Sequence, residues 1–119
     1  MIIAIVVPKT RAGRASTYHK IRDRESYAFA LASAAVALEM DGDRVGRARI
    51  ALGGVATRPW RATAAEQSLV GQPLTPETAL AAGRVALSGA TPGHYNRFKI
   101  ELGARTVADA LLIAAGRNA

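Results

Sequence analysis

The chain has 119 residues, half of them apolar and about a fifth charged, a length and composition that fit one globular domain and exclude a disordered chain. It contains no cysteine, which excludes disulfides, thiol catalysis, cysteine-held zinc and thiolate-ligated iron–sulfur clusters within it. Sixteen basic against nine acidic residues give a formal net charge of +7, a balance suited to phosphates, an acidic protein surface or nucleic acid.

The apolar opening, Met1 to Pro8, is too short for a signal peptide or a membrane span and lacks a basic leader. Its β-branched run Ile2–Val7, stopped by Pro8, predicts a strand. A strand at the very first residue suggests a chain that begins where another domain left off. Residues 9–16 are basic and small, and predict a loop.

The alanines of the run 28–40 favour helix by propensity. Asp41-Gly42 follows, however, and a second apolar run lies beyond it. Asp-Gly between two apolar runs is a hairpin signal. In the second run Ala48, Ile50, Leu52 and Gly54 alternate with Arg47, Arg49 and Ala51, which is period two. Strands are therefore expected over about 28–40 and 45–57, joined as a hairpin. Thr63 with Glu66 fits a capping box and Gly71 fits the position after a helix end, predicting a helix over 62–70. Thr75-Pro76-Glu77 reads as the start of a second helix running to about Ser88. A third is expected from His94 or Tyr95 to before Gly116, with Phe98, Leu102, Val107, Ala110, Leu111 and Ala114 at helical spacing. Gly103 would either weaken or kink it. Strands first and helices afterwards predict an α+β fold with helices on one face of an antiparallel sheet.

No complete catalytic constellation stands out. His19 and His94 lie far apart with no ligand pattern, so no metal site is expected. Asp23 and Glu25 alternate with Arg22 and Arg24, the pattern of a solvated or ion-paired segment. Gly53-Gly54 matches no phosphate-binding loop and reads as a bulge or a close backbone approach, or as the edge of a ligand. Trp60, between arginines, reads equally as a core cap or an interface anchor. Tyr18, Lys20 and the arginines after them could hold an anionic cofactor edge.

The segment Tyr18-His19-Lys20-Ile21-Arg22-Asp23-Arg24-Glu25-Ser26-Tyr27-Ala28-Phe29-Ala30-Leu31 resembles the opening of the C-terminal domain in FAD-binding subunits of molybdenum hydroxylases. These are the xanthine dehydrogenase, aldehyde oxidoreductase and carbon monoxide dehydrogenase group. The run Ala51 to Ala62, with Gly53-Gly54 and Pro59-Trp60, continues the resemblance, as do Ala65-Glu66, Leu69 with Gly71, and Asn96-Arg97-Phe98-Lys99 through Leu102 and Arg105 to Leu111. It is nearest to the bacterial aldehyde oxidoreductase branch. The resemblance implies a three- to four-stranded antiparallel sheet packed against three helices, in a single domain 1–119, and makes the alanine-rich run a strand. It implies an electron-transferring flavin subunit, with most of the FAD site in domains upstream of this one. Within this domain it places Ile2, by backbone and apolar contact, and Lys20, as a cation, beside the flavin. Partner subunits would carry the molybdopterin and the iron–sulfur clusters, in a cytoplasmic or periplasmic enzyme. The alternative is a stand-alone oligomeric module of the same fold without flavin. Nucleic-acid binding rests on charge alone, with no supporting motif.

Overall fold

Two neighbouring runs of alternating burial organise the structure. The computed structural model describes residues 1–117. After a short 3-10 turn at Arg11–Gly13 come strands β1 (Ala15–Ile21), β2 (Ala32–Asp41), β3 (Arg44–Gly53) and β4 (Trp60–Arg61), then helices α1 (Thr63–Leu69), α2 (Pro76–Ala86) and α3 (Phe98–Gly116). The strands form one antiparallel sheet in sequence order, β1-β2-β3-β4. The α+β expectation with three helices therefore holds.

The β2–β3 hairpin closes where Asp41-Gly42 predicts it. Asp41 pairs with Arg44, so Gly42-Asp43 form a two-residue loop. Gly42 has φ +61°, the positive φ that a type II′ turn requires at its first central position. A register shift at Glu39/Met40 twists the strands just before the turn.

One face of the sheet carries the core. Ala34, Val36 and Leu38 from β2 and Ala48, Ile50 and Leu52 from β3 are buried with Leu69 of α1 and Val107, Ala110, Leu111 and Ala114 of α3. Burying each of the larger aliphatic side chains contributes about 1.5–3 kcal/mol. Helix α3 lies against β1 and β2, and α2 packs between α1 and α3. Gly103 does not break α3, which is continuous through it. A Cβ there would come within 2.7 Å of Leu87 Cδ1, so the glycine admits the end of α2. Among the described residues no helix is long and apolar enough to cross a membrane.

Among the strands and the first cap, three expectations are corrected. Ile2–Val7 forms no strand: residues 1–10 have no regular structure and lie exposed. A strand needs a neighbour to satisfy its backbone, and no strand of the described residues lies beside this run. The first strand is instead Ala15–Ile21, across residues read partly as loop, because it finds β2 from Ala15↔Leu38 to Ile21↔Ala32. The hairpin strands are shorter than expected. Residues 28–31 lie outside any strand, and β3 ends at Gly53, where Gly54 turns to φ +72°. Finally, Thr63 and Glu66 do not form a capping box. The cap of α1 is Ala62 with no side-chain bond, because the Glu66 carboxylate is taken by Arg61, Arg49 and the Ile50 N–H.

The second capping signal holds. The Thr75 hydroxyl accepts from the Thr78 N–H at 3.3 Å, and the Thr78 hydroxyl accepts from the Thr75 N–H at 2.8 Å. Gly71 follows the α1 cap at φ +77°. The third helix starts later than His94, because Gly93–Arg97 is held as a turn: Asn96 Oδ1 accepts from the Gly93 N–H at 2.6 Å.

Candidate functional site

The register assigns a second row of residues to the face away from α3. Tyr18 lies opposite Ala35, Ala35 opposite Ala51, and Ala51 opposite Arg61. One step along, Lys20 lies opposite Ser33 and Ser33 opposite Gly53. Directly opposed residues project from the same face. Lys20, Ser33 and Gly53 therefore stand side by side on three strands, at the end of the sheet where the chain passes into residues 28–31.

This end holds a cleft of about 550 Å³ lined by Tyr18, Lys20, Tyr27, Phe29, Ser33 and the Gly53-Gly54 pair, with Ala28 and Ala30. Lys20 Nζ donates to the Ala28 carbonyl at 3.3 Å, which holds the ammonium at the rim. Gly54 lets the backbones close: a Cβ there would lie 2.8 Å from the Ala30 carbonyl oxygen. The close-approach reading of this glycine pair is thus the structural one. Tyr27 and Phe29 are almost fully exposed, at 98% and 99%. Tyr27 also holds φ 51°, a left-handed conformation that costs an aromatic residue energy. Arg24 Nη2 donates to the Tyr27 carbonyl at 3.3 Å and steadies it. No carboxylate lines the cleft. The site is cationic, with aromatic faces beside it, and suits an electron-rich ring edge.

Of the two residues expected at a cofactor, Lys20 lines this cleft and Ile2 does not. Ile2 lies in the irregular opening segment at 82% exposure. The other candidates separate. His19 Nε2 is 3.9 Å from Asp109 Oδ2, and His94 stacks edge-on against Tyr95 at 4.2 Å. No group of metal-ligating side chains occurs among the described residues. Asp23 and Glu25 are exposed in an irregular segment. Trp60 caps the core: half-buried, it donates from Nε1 to the Ala86 carbonyl at the end of α2, at 3.1 Å.

The densest polar cluster lies elsewhere, at the β3–β4–α1 junction. Glu66, 5% exposed, accepts from the Ile50 N–H at 2.8 Å, from Arg49 at 3.2 Å and from Arg61 through Nε and, at 3.0 Å, through Nη2. Burial by itself pushes this carboxyl up. The Arg61 hydrogen bonds, the Ile50 N–H, the Arg61 charge and Arg49 together outweigh it and hold Glu66 below the usual carboxylate range. With every oxygen engaged, the cluster is a structural tie.

Comparison with known proteins agrees with this fold. A family model described as the CO dehydrogenase flavoprotein C-terminal domain matches residues 16–112. The FAD-binding subunit of aldehyde oxidoreductase from Escherichia coli is 40% identical over 111 residues, which is 93% of this chain and 31% of that protein. Carbon monoxide dehydrogenase from Hydrogenophaga pseudoflava superposes with a TM-score of 0.83 at 33% identity, over 93% of this chain and 40% of that one. Quinoline 2-oxidoreductase from Pseudomonas putida superposes with a TM-score of 0.79 at 30% identity, over 87% of this chain and 38% of that one. This chain thus spans about a third of the length of the curated relative and about two-fifths of the solved chains. From sheet order to residue match, it belongs to the CO dehydrogenase flavoprotein C-terminal domain family.

Proposed function

We propose that this chain is the C-terminal part of the FAD-binding, electron-transferring subunit of an oxidoreductase of the xanthine dehydrogenase and aldehyde oxidoreductase type. The observation that carries the reading is the 40% identity, over 93% of the chain, to a protein named as an FAD-binding subunit. When bound, FAD supplies a group that accepts and passes on electrons. The residues of the Lys20 cleft fit the ring end of such a group: a cation, two exposed aromatic side chains and a glycine-backed wall, with no carboxylate to repel an electron-rich edge. Nothing in the cleft fits the diphosphate, which needs a run of backbone N–H groups in a glycine-rich loop. The rest of FAD is therefore held by the parts of the subunit that this chain does not span.

In this reading Lys20 orients the ring by its charge. Ile2 and the apolar residues around it make contact on the flavin side, which accounts for their exposure in this chain. The chain covers the cofactor and docks an upstream FAD-binding domain, with molybdopterin and iron–sulfur clusters on partner subunits. Co-expression with the remaining part of the Escherichia coli subunit tests this. Co-purification with a flavin absorbance band is expected. A Lys20→Met variant should assemble yet bind flavin about tenfold more weakly, the loss expected for one charged hydrogen bond. Failure to co-purify, or a complex without flavin, refutes the reading.

A further inference from the structure

The most buried polar side chain of the cleft has no partner. Ser33 is 3% exposed. Its neighbours Ala34 and Val36 place alternate β2 side chains in the core, so Ser33 projects outward, between Lys20 and Gly53. The hydroxyl points toward Gly53, where a Cβ would lie 2.7 Å from Ser33 Oγ. The hydroxyl makes no hydrogen bond within the described chain, whereas among the described residues no side-chain polar atom is both sealed from solvent and unpartnered. Ser33 Oγ therefore keeps an opening, and the cleft it lines provides it.

The next outward positions on β2 are Ala35 and Ala37, so the strand itself does not require a hydroxyl on this face. A hydroxyl at the most enclosed of the three loses hydration with no bond in return. Lys20 Nζ, held by one carbonyl, has two further donors to offer. Lys20 and Ser33 stand directly opposite on adjacent strands, so a cation and a hydroxyl rise from neighbouring positions of one face. Tyr27 and Phe29 stand beside them with open faces.

We propose that Ser33 is a ligand-contacting residue, its hydroxyl pairing with the carbonyl–imide edge of a planar ring that enters the cleft beside Lys20, Tyr27 and Phe29. Ser33 can donate to a ring carbonyl, as Lys20 can, and can also accept from a ring N–H, which Lys20 cannot. This rests on the flavin reading and adds a residue to it.

The test uses the full chain co-expressed with the remaining part of the Escherichia coli subunit, comparing wild type with Ser33→Ala. FAD affinity is read by fluorescence titration of the deflavinated complex, and stability by thermal melting of the same flavin-free complex. Ser33→Ala should weaken FAD about five- to tenfold, the loss of one hydrogen bond, while melting at or above the wild-type temperature. Wild-type complex that binds FAD, with an unchanged affinity in Ser33→Ala, overturns the role of Ser33 and leaves the flavin reading standing. A variant that melts several degrees lower overturns it too, since Ser33 would then be structural. Wild-type complex that binds no FAD overturns the flavin reading itself, and the Ser33 assignment with it.

Discussion

Glu66 joins three segments through one side chain: β3 by Arg49 and the Ile50 N–H, β4 by Arg61, and its own helix α1. Replacing it with glutamine removes the charge from a buried acceptor while keeping its shape. Glu66→Gln should cost about 1–3 kcal/mol in urea unfolding, at the lower end because both arginines are about half exposed and screened by water. The pH dependence follows from the direction of the shift. A carboxyl whose folded pKa lies below its unfolded value stabilises the fold above the unfolded value, about 4.3, and loses that contribution as pH falls through the folded value. Glu77, held low first by the Thr75 hydroxyl and then by its own N–H, acts in the same direction. The wild-type advantage over Glu66→Gln should therefore be full at pH 7 and shrink below about pH 4, measured as the difference in urea midpoints. At this scale the sequence was legible where a residue acts through its neighbours in the chain. The Thr75 cap was found in this way. Glu66 was misread because it stands three positions after Thr63, as a capping box requires, while its real partners Arg61, Ile50 and Arg49 lie 5, 16 and 17 positions back in the chain. Ser33 was hidden for a similar reason: only the register shows which alternate residues of an alanine-rich strand face outward.

The helices meet more closely than side chains would allow. Gly83 of α2 faces the backbone of α3, and a Cβ at that position would run into the Ala104 carbonyl. Gly83→Ala improves helix propensity by about 1 kcal/mol, yet it forces two backbones apart. The clash should win, with a net loss of about 1–3 kcal/mol, seen as a lower urea midpoint at unchanged slope. Trp60 ties the short β4 to the last turn of α2. Trp60→Phe should cost about 1 kcal/mol from that hydrogen bond alone, read by the same titration. Element types were legible where local chemistry is decisive: the Gly42 turn, the Pro76 helix start and the helical spacing along α3. Boundaries were not, because tertiary contacts set them. Ile2–Val7 has the composition of a strand and no neighbour, whereas Ala15–Ile21 has weaker composition and a ladder along its full length.

The architecture as a whole followed from element order, with strands first and helices after. Which sheet face the helices leave open did not, since small residues on both faces of β2 blur the alternation that distinguishes them. The opening segment adds nothing visible to the core. Ile2, Ile3, Ile5, Val6 and Val7 are each at least 77% exposed. Deleting residues 1–7 should leave the melting temperature within about 2 °C of the full chain, a change expected when little apolar area is buried. The same deletion should weaken co-purification with the remaining FAD-binding part if that segment makes the contact proposed above.

That uncovered strip also sets a limit on how much of this protein a solution can hold alone. Five β-branched residues in six, with no charge among them, form the kind of segment that pairs with its own copies. Two such strips in contact remove from water the area that each exposes singly. Self-association should therefore rise with concentration and vanish when a docking partner is supplied in equal amount, which light scattering would follow directly. Supply of the chain in step with its partner is, on this account, a condition of its solubility.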